Sequence, residues 1–472
     1  MEQYQSEPED PQALEKIPVL KREDISREIA PIQNREISVA GVPVVLHEIE
    51  TNGIGYVTLL FDFTGVGDEL LPYVGILQAV LGIIDTKHYE YGELFNEINL
   101  KTGGIGTSLE LYNDISDVKN KAFKATFEVK AKALFSQLPT AFEMMGEILT
   151  ASKLDDEKRL LEILMMLKSR LFMKFTSAGH STAALRALSY ASPAAKLKDV
   201  TGGVEFYELV KRITDNFDEE KADLIAKLQT LTHMLFRADN MLISYIAPTE
   251  SSKELGEYVS ILKNVLYTDA IEKKKLKLHC EKKNEGFKTA SKVQYVARVG
   301  NFIDNGAEYH GALNILKVIL SYDYLWQNVR VKGGAYGCMS NFNRIGEGYF
   351  VSYRDPNLKQ TMEIYEGVVD YLKNFEVSDR DMTKYIIGTI SNIDQPMTPA
   401  TKGERSLSLY MSNITADMIK NERNQILDAS QQDIRNLASV AEAMLKAEQI
   451  CVIGGEDKIE ENADMFMNVT KF

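Results

Sequence analysis

An internal repeat limits the folds available to this chain of 472 residues. Tyr73-Val-Gly-Ile-Leu-Gln matches Tyr309-His-Gly-Ala-Leu-Asn, at an offset of 236 residues. Lys101-Thr-Gly-Gly-Ile-Gly resembles Lys332-Gly-Gly-Ala-Tyr-Gly at an offset of 230, and Leu154-Asp-Asp-Glu resembles Val377-Ser-Asp-Arg at 223. A few insertions and deletions would produce this drift. We therefore predict two copies of one unit, each of roughly 210–230 residues.

The same order of strands and helices is predicted in both copies. Period-two alternation and β-branched residues predict strands over 44–49, 55–63, 107–112, 123–129 and 241–247, and then over 292–300, 335–342, 347–354 and 450–453. Helical periodicity predicts helices near 70–84, 90–100, 131–150, 155–173 and 219–237, and then at 307–330, at 358–374 and onward to about 446. This pattern predicts an α+β fold of two homologous units, each an antiparallel β-sheet covered by helices on one face.

Changes in composition suggest the domain boundaries. Residues 1–35 are polar, contain four prolines and predict an extended N-terminal arm. We predict that residues 36–250 form the first α+β unit, and that the charged stretch 251–290 forms a linker and first strand region. Residues 291–472 form the second unit, which carries the loop Arg330-Val-Lys-Gly-Gly-Ala-Tyr-Gly.

Bulk composition excludes several classes of protein. The apolar content of 44% and charged content of 26% are globular values. A net charge of −14 argues against nucleic-acid binding, which needs clustered Lys and Arg, and is compatible with basic peptide ligands. No apolar run reaches the ~18 residues of a membrane span. The three cysteines are scattered and the N-terminus lacks the pattern of a signal peptide, so we expect a reducing, cytoplasmic location.

The glycine-rich stretches do not predict a nucleotide site. In Thr102-Gly-Gly-Ile-Gly-Thr a predicted helix precedes the glycines and a strand follows, the reverse of the dinucleotide-binding order. A helix-to-strand turn explains these glycines. The second loop adds Arg330 and Tyr336, which such a turn does not require. Two donors on one loop could hold a peptide carbonyl or an oxyanion. A structural salt bridge for Arg330 and a packed ring for Tyr336 are equally consistent with the sequence.

The sequence contains no complete hydrolytic centre. No two of its six histidines have the spacing of H-E-x-x-H or H-x-x-E-H, and G-x-S-x-G is absent. His279-Cys280 is an isolated pair in a Lys-rich stretch and predicts an ordinary surface. We expect no metal ligands and no cofactor in this chain.

A family resemblance rests on several motifs in combination. They are Tyr309-His-Gly-Ala-Leu, Asp323-Tyr-Leu-Trp-Gln-Asn-Val-Arg-Val-Lys-Gly-Gly-Ala-Tyr-Gly, Ser352-Tyr-Arg-Asp-Pro-Asn, Ile387-Gly-Thr-Ile-Ser-Asn-Ile-Asp-Gln-Pro and Gln5-Ser-Glu-Pro-Glu-Asp-Pro. Together they resemble the insulinase (pitrilysin) superfamily of zinc peptidases, in its presequence-protease branch.

This resemblance implies an architecture and a chemistry. Members have four homologous units in two halves, joined by a helical hairpin and closing around a peptide chamber. Their first unit binds zinc through an inverted H-x-x-E-H motif and a downstream Glu, and the zinc-bound water attacks the peptide bond. This chain has two units and none of those ligands, so it resembles the C-terminal half, units three and four. Zinc is then expected in the N-terminal half, and residues 1–35 would follow the hairpin.

The resemblance also implies roles for loop residues. Arg330 and Tyr336 would donate hydrogen bonds to the scissile carbonyl, and Gly333, Gly334 and Ala335 would contact substrate. Arg354 is a weaker candidate with a structural role. The implied partners are the N-terminal half and unstructured peptides, with no nucleic acid and no membrane.

Three functions remain open from the sequence. The first is the C-terminal half of a presequence-protease-like zinc oligopeptidase, inactive without its N-terminal half. The second is a non-catalytic scaffold or peptide-binding subunit of the same superfamily. The third is an independent enzyme with an unrecognised site.

Overall fold

A computed structural model describes residues 20–472 and contains two six-stranded β-sheets. Residues 1–19 of the predicted arm lie outside the described residues. The strands of the first sheet are β1 Arg35–Val39, β2 Val42–Glu48, β3 Ile54–Asp62, β4 Ile105–Asn113, β5 Phe123–Leu134 and β6 Met241–Ala247. Those of the second are β7 Glu285–Thr289, β8 Tyr295–Asn301, β9 Gly337–Phe342, β10 Glu347–Tyr353, β11 Gln449–Gly455 and β12 Asn468–Lys471.

The helices fall into the same two groups. In the first unit they are α1 Leu71–Val80, α2 Tyr91–Lys101, α3 Leu138–Thr150, α4 Glu157–Ser177, α5 Gly179–Leu188, α6 Pro193–Gly202, α7 Val204–Asp215, α8 Phe217–Leu235 and α9 Leu255–Lys263. In the second they are α10 Ala312–Tyr322, α11 Lys359–Glu366, α12 Val368–Lys373, α13 Asp379–Ile393, α14 Pro399–Met411, α15 Ala416–Leu427, α16 Gln431–Asn436, α17 Ala438–Leu445 and α18 Glu456–Glu461.

The strand order demonstrates the repeat. The first sheet runs β1-β2-β6-β3-β5-β4 and the second β12-β7-β11-β8-β10-β9, so five strands correspond in order. The sixth strand comes from opposite ends of the chain. β1 precedes β2 and pairs with it antiparallel, whereas β12 is the last strand and pairs parallel with β7.

Both sheets are mixed rather than purely antiparallel. β2 pairs parallel with β6, and β7 pairs parallel with β11, at corresponding places in the two sheets. The other pairs between the five corresponding strands are antiparallel, as predicted. Alternation along one strand reports which face is buried but not the direction of its neighbour, so the sequence could not reveal the parallel pairs.

The paired glycines form equivalent turns in the two units. The second glycine of each pair has a left-handed backbone, with φ of +118° at Gly104 and +82° at Gly334. Each pair connects a helical segment to an edge strand, β4 or β9. Residues other than glycine rarely adopt this φ. The shared turn therefore explains why paired glycines occur at this place in both units.

Some element boundaries differ from the prediction. The helix predicted over 131–150 begins at Leu138, because β5 continues to Leu134 and Pro139 occupies the first helical turn. The helix predicted over 307–330 is divided: α10 ends at Tyr322, and a π-helix, Trp326–Lys332, follows. Within the predicted linker, α9 packs its buried Leu255 and Leu262 into the core of the first unit.

A helix from each unit packs on the sheet of the other. α5 lies on β8, β10 and β11, and α14 lies on β2 and β6. Glycine permits both approaches. A Cβ on Gly179 would lie 2.6 Å from Cε2 of Tyr295, and one on Gly403 would lie 2.9 Å from Cγ2 of Ile246. The sequence predicted only one covered face per sheet, and the second helix layer comes from the other unit.

Residues 20–34 pack on the second unit before the chain enters the first sheet. The guanidinium of Arg423 donates two hydrogen bonds to the carbonyl of Ser26, at 2.8 and 2.7 Å. Asn34 donates to the carbonyl of Ser406 at 2.9 Å. Within residues 20–472, no helix combines the length and apolar composition needed to cross a bilayer.

Candidate functional site

The loop between the π-helix and β9 is held by its own backbone. The amide of Gly334 donates to the carbonyl of Arg330 at 2.8 Å, and the amide of Ala335 donates to that of Val329 at 3.1 Å. π-Helical turns are rare and are frequent at functional sites. These bonds fix the direction in which Arg330 and Tyr336 leave the loop.

The three small residues of the loop have different environments. A Cβ on Gly333 would lie 2.5 Å from the carbonyl oxygen of Val329, so this position has no room for a side chain. Gly334 needs its left-handed backbone and is exposed. Ala335 is buried, which does not favour the substrate contact predicted for it.

Arg330 is exposed and stacks on an aromatic ring. Its guanidinium carbon lies 4.1 Å from the centroid of Trp326, which is itself 38% exposed. Among residues 20–472 the guanidinium makes no salt bridge, so the structural ion pair that the sequence left open is not formed there. Stacking orients the plane of the guanidinium and leaves its N–H donors available at the edges.

Tyr336 is also available to a ligand. Its side chain is 65% exposed, which excludes the alternative of a packed core ring. Its backbone amide donates to the carbonyl of Tyr353 at 3.0 Å, and the guanidinium carbon of Arg354 lies 5.8 Å from its ring centroid. Arg354 has a left-handed backbone, with φ of +48°, and is itself exposed.

A buried carboxylate supports the loop from behind. Asp355 is fully buried and accepts from the hydroxyl of Thr361 at 2.7 Å and from the amide of Asn357 at 2.9 Å. Burial raises the pKa of Asp355. Asn357 in turn donates its side-chain N–H to the carbonyl of Gly333 at 2.6 Å. The segment 354–357 thus ties the glycine turn to the sheet.

β9 follows the loop and is an edge strand. The amide of Asn343 donates to the carbonyl of Glu347 at 2.9 Å. With the register of the β9–β10 hairpin, this bond determines which residues of β9 turn their backbone groups toward β10. Because bonded positions alternate in an antiparallel pair, three residues turn their backbone amides and carbonyls away from β10. They are Cys338, Ser340 and Phe342, of which Ser340 and Phe342 are buried, so only the Cys338 end of this edge is partly open to solvent. Within the described chain no strand pairs with this outer edge.

The loop has no nucleophile or metal cluster beside it. In residues 20–472, no group of three or more His, Cys, Asp or Glu side chains is arranged to hold a metal ion. Burial raises the pKa of the Cys338 thiol to about 12, which keeps it protonated and unreactive at neutral pH. These residues therefore do not fit a zinc site. The stretch 330–336 offers three exposed donors: Lys332, whose ammonium bonds the side chain of Asn328, and Arg330 and Tyr336.

The fold and the loop define a class of protein: a two-unit α+β protein that presents donors beside an edge strand.

Two family models match the chain. The model of the domain associated with subfamily C of peptidase family M16 covers residues 1–213, and the PreP C-terminal domain covers residues 284–456. Among solved structures, the peptidase M16 inactive domain from Pseudomonas fluorescens is similar over 90% of this chain and 98% of its own, with a TM-score of 0.61 at 14% identity.

Curated relatives agree with these models. Protein HypA of Clostridium perfringens is 38% identical over 99% of this chain and 48% of that protein. Presequence protease 1, chloroplastic/mitochondrial, of Arabidopsis thaliana is 28% identical over 96% of this chain and 42% of that protein. The chain belongs to the peptidase M16 family, in its presequence-protease branch, and corresponds to the C-terminal half. It spans about half the length of the curated relatives it matches.

Sequence reasoning assigned no role to Trp326, Asp355 or Asn357, although all three lie in the quoted motifs. Trp326 stacks on Arg330 within the π-helix, and Asp355 accepts from the nearby Thr361. The bond from Asn357 to Gly333 joins two separate segments of the chain. The only signal was their position beside Arg330 and Arg354 in those motifs.

Proposed function

We propose that this chain is the C-terminal half of a presequence-protease-like zinc oligopeptidase that hydrolyses unstructured peptides. It would supply a wall of the peptide chamber and two donors to the scissile carbonyl, and it would be inactive without its N-terminal half. The single observation that carries the proposal is the presence of two exposed donors, Arg330 and Tyr336, on one braced loop.

The chemistry of the two side chains supports this role. When water attacks a peptide bond, the carbonyl oxygen acquires negative charge, and donors already in place stabilise that charge without reorganising. The guanidinium of Arg330 offers N–H donors and a permanent positive charge. The phenol of Tyr336 offers an O–H donor. The proposal assigns the metal and the general base to the N-terminal half, so neither comes from this chain.

The outer edge of β9 supports an extended peptide as the ligand. A short extended segment that paired with the backbone of Cys338, the end of this edge nearest the loop, would lie directly beside the loop; Ser340 and Phe342 are buried and do not extend the pairing. Main-chain pairing does not depend on the side chains of the peptide, which suits a peptidase of broad specificity. A folded protein presents few such free strands, so unstructured peptides are the expected substrates.

The test is reconstitution of this chain with a zinc-bearing N-terminal half, followed by assay of an unstructured peptide. Neither half alone should turn over the peptide. Arg330→Ala and Tyr336→Phe should each lower kcat about 100- to 1000-fold, the usual effect of losing one oxyanion donor. Lys332→Ala and Tyr322→Phe remove similar groups from exposed positions nearby and should have little effect.

Unchanged turnover in the Arg330→Ala and Tyr336→Phe enzymes would refute the proposed role of the loop. Tight peptide binding by this chain alone, with no gain in turnover on reconstitution, would indicate the non-catalytic peptide-binding subunit instead. We also infer a cytoplasmic location, since Cys280, Cys338 and Cys451 are all free thiols.

A further inference from the structure

A cavity of about 630 Å³ in the first unit carries only positive charge. It lies between α1, α4 and the junction of α6 with α7, and its lining includes Leu167, Arg170, Leu171, Lys174, Ser177 and Phe206. Three other cavities on the described surface mix both signs of charge, such as Lys168 with Asp215, Lys196 with Glu205, and Lys402 with Asp394. In a chain of net charge −14, an all-positive cavity is unusual.

The two positive groups of the cavity lie on one face of α4. Arg170 and Lys174 are four residues apart, and Ser177 follows three residues later, which places all three on one stripe of the helix. Both charged side chains are exposed, and neither makes a hydrogen bond or salt bridge to any of residues 20–472. By contrast, Lys168 on the same helix pairs with Asp215 at 2.5 Å.

The floor of the cavity is apolar and preformed. Leu167, Leu171 and Phe206 are buried beneath the charged stripe. Gly75 brings α1 close to this floor, because a Cβ at that position would lie 2.9 Å from Cζ of Phe206. Met173, 59% exposed, forms part of the rim and can adapt its conformation to a ligand.

The second unit does not repeat this arrangement. At the offset of 223 residues that relates Leu154 to Val377, Arg170 corresponds to Ile393, the last residue of α13. Lys174 then corresponds to Met397, beyond the end of that helix. The cationic stripe is therefore not a consequence of the repeated fold, and it belongs to the first unit.

We propose that this cavity binds a carboxylate-bearing segment of a peptide. The carboxylate would lie between Arg170 and Lys174, and an adjacent apolar side chain would pack on Leu167, Leu171 and Phe206. Arg and Lys are the complementary donors for a carboxylate, and the apolar floor favours a peptide over a small inorganic anion. The choice of a peptide rests on the proposed function.

The test is fluorescence anisotropy with the whole chain and labelled flexible peptides. The first, GSGLEFSGS with an amidated C-terminus, carries a side-chain carboxylate. The second, GSGSGLF, ends in a free carboxylate. The third, amidated GSGLQFSGS, carries neither. At least one of the two acidic peptides should bind about tenfold more tightly than the neutral peptide, and its identity names the source of the carboxylate. Rising salt should weaken that binding.

Matched variants locate the site. Arg170→Gln/Lys174→Gln should weaken binding of the preferred acidic peptide about tenfold and leave the neutral peptide unaffected. Lys119→Gln/Lys158→Gln removes the same charge from exposed positions outside the cavity and should change binding less than about twofold. Because all four side chains are exposed, each double variant should retain the urea unfolding midpoint of the wild type.

Equal binding of acidic and neutral peptides would overturn the inference, as would equal losses in the two double variants. The assay contains no N-terminal half, so its outcome is independent of turnover. If acidic peptides bind but Arg330→Ala leaves the reconstituted enzyme fully active, the role of the loop fails and the cavity stands. If Arg330→Ala abolishes turnover but no acidic peptide binds selectively, the cavity fails and the loop stands.

Discussion

Gly179→Ala tests whether the two units are interlocked as the structure indicates. Gly179 begins α5 and faces Tyr295 of β8, in the other unit. The added Cβ would lie 2.6 Å from Cε2 and 2.9 Å from Cγ of that ring. Carbon atoms in contact are normally about 3.5–4.0 Å apart, so the ring or the helix must move.

Neither neighbour can move freely. The Tyr295 side chain is 2% exposed and its hydroxyl donates to the carbonyl of Thr176 at 2.5 Å. The ring also lies 5.7 Å from the ring of Tyr353, whose backbone carbonyl holds the amide of Tyr336. Overpacking of this kind costs about 1–3 kcal/mol. Alanine gains less than about 1 kcal/mol of helix propensity over glycine, so the net effect should be destabilising.

The measurement is urea unfolding followed by circular dichroism, with Gly92→Ala as the control. Gly92 lies in the first turn of α2, and a Cβ there would meet no atom within 4 Å. Gly92→Ala should leave the free energy of unfolding unchanged or raise it by up to about 1 kcal/mol. Gly179→Ala should lower it by about 1–2 kcal/mol. If Gly179→Ala were as stable as Gly92→Ala, α5 would not be packed against β8 as described.

Three further predictions concern the loop, the unit junction and pH. Gly334→Ala forces a residue with a side chain to adopt φ of +82°, so it should lower both the unfolding midpoint and peptide turnover after reconstitution. Gly106→Ala is the control, because a Cβ there meets no atom within 4 Å and the φ is ordinary, and it should change neither. Glu285→Ala removes a carboxylate that pairs with buried Arg186 across the units at 2.6 Å. Because Arg186 keeps Asp199 and Glu205 as partners, the expected loss in urea unfolding is about 1–3 kcal/mol, and no measurable loss would contradict that expectation. Burial lowers the pKa of His47, whose Nδ1 lies 2.8 Å from the carbonyl oxygen of Gln33. The stability that neutral His47 contributes is therefore present above the unfolded pKa of 6.5 and is lost as the pH falls through the folded pKa. Unfolding midpoints at pH 7.5 and 5.5 should therefore differ more for the wild type than for His47→Gln; equal differences would refute this assignment.

The candidate site was only partly predictable from the sequence. The sequence singled out Arg330 and Tyr336 because a glycine turn requires neither side chain. Their predicted role as donors came from the family resemblance. Their exposure, the stacking of Arg330 on Trp326 and the bond from Asn357 to Gly333 were not predictable. Trp326 lies only four residues before Arg330, but whether the two side chains stack depends on the π-helical backbone that carries them. Exposure and the Asn357 bond depend on neighbours distant in sequence. The cationic cavity was missed for the same reason: Arg170 and Lys174 are ordinary in the sequence of a helix and become notable only when α1 and α7 close the space around them.

The sequence by itself determined the repeated unit, the family and most helices and strands, because hydrophobic period and glycine placement are local properties of the backbone. Tertiary structure alone decided the parallel pairs in both sheets and the different origins of β1 and β12. It also decided that each sheet is covered on its second face by a helix of the other unit. Those features depend on which surfaces meet after the elements form, and a glycine such as Gly179 gives no sign in the sequence of the distant ring against which it must pack.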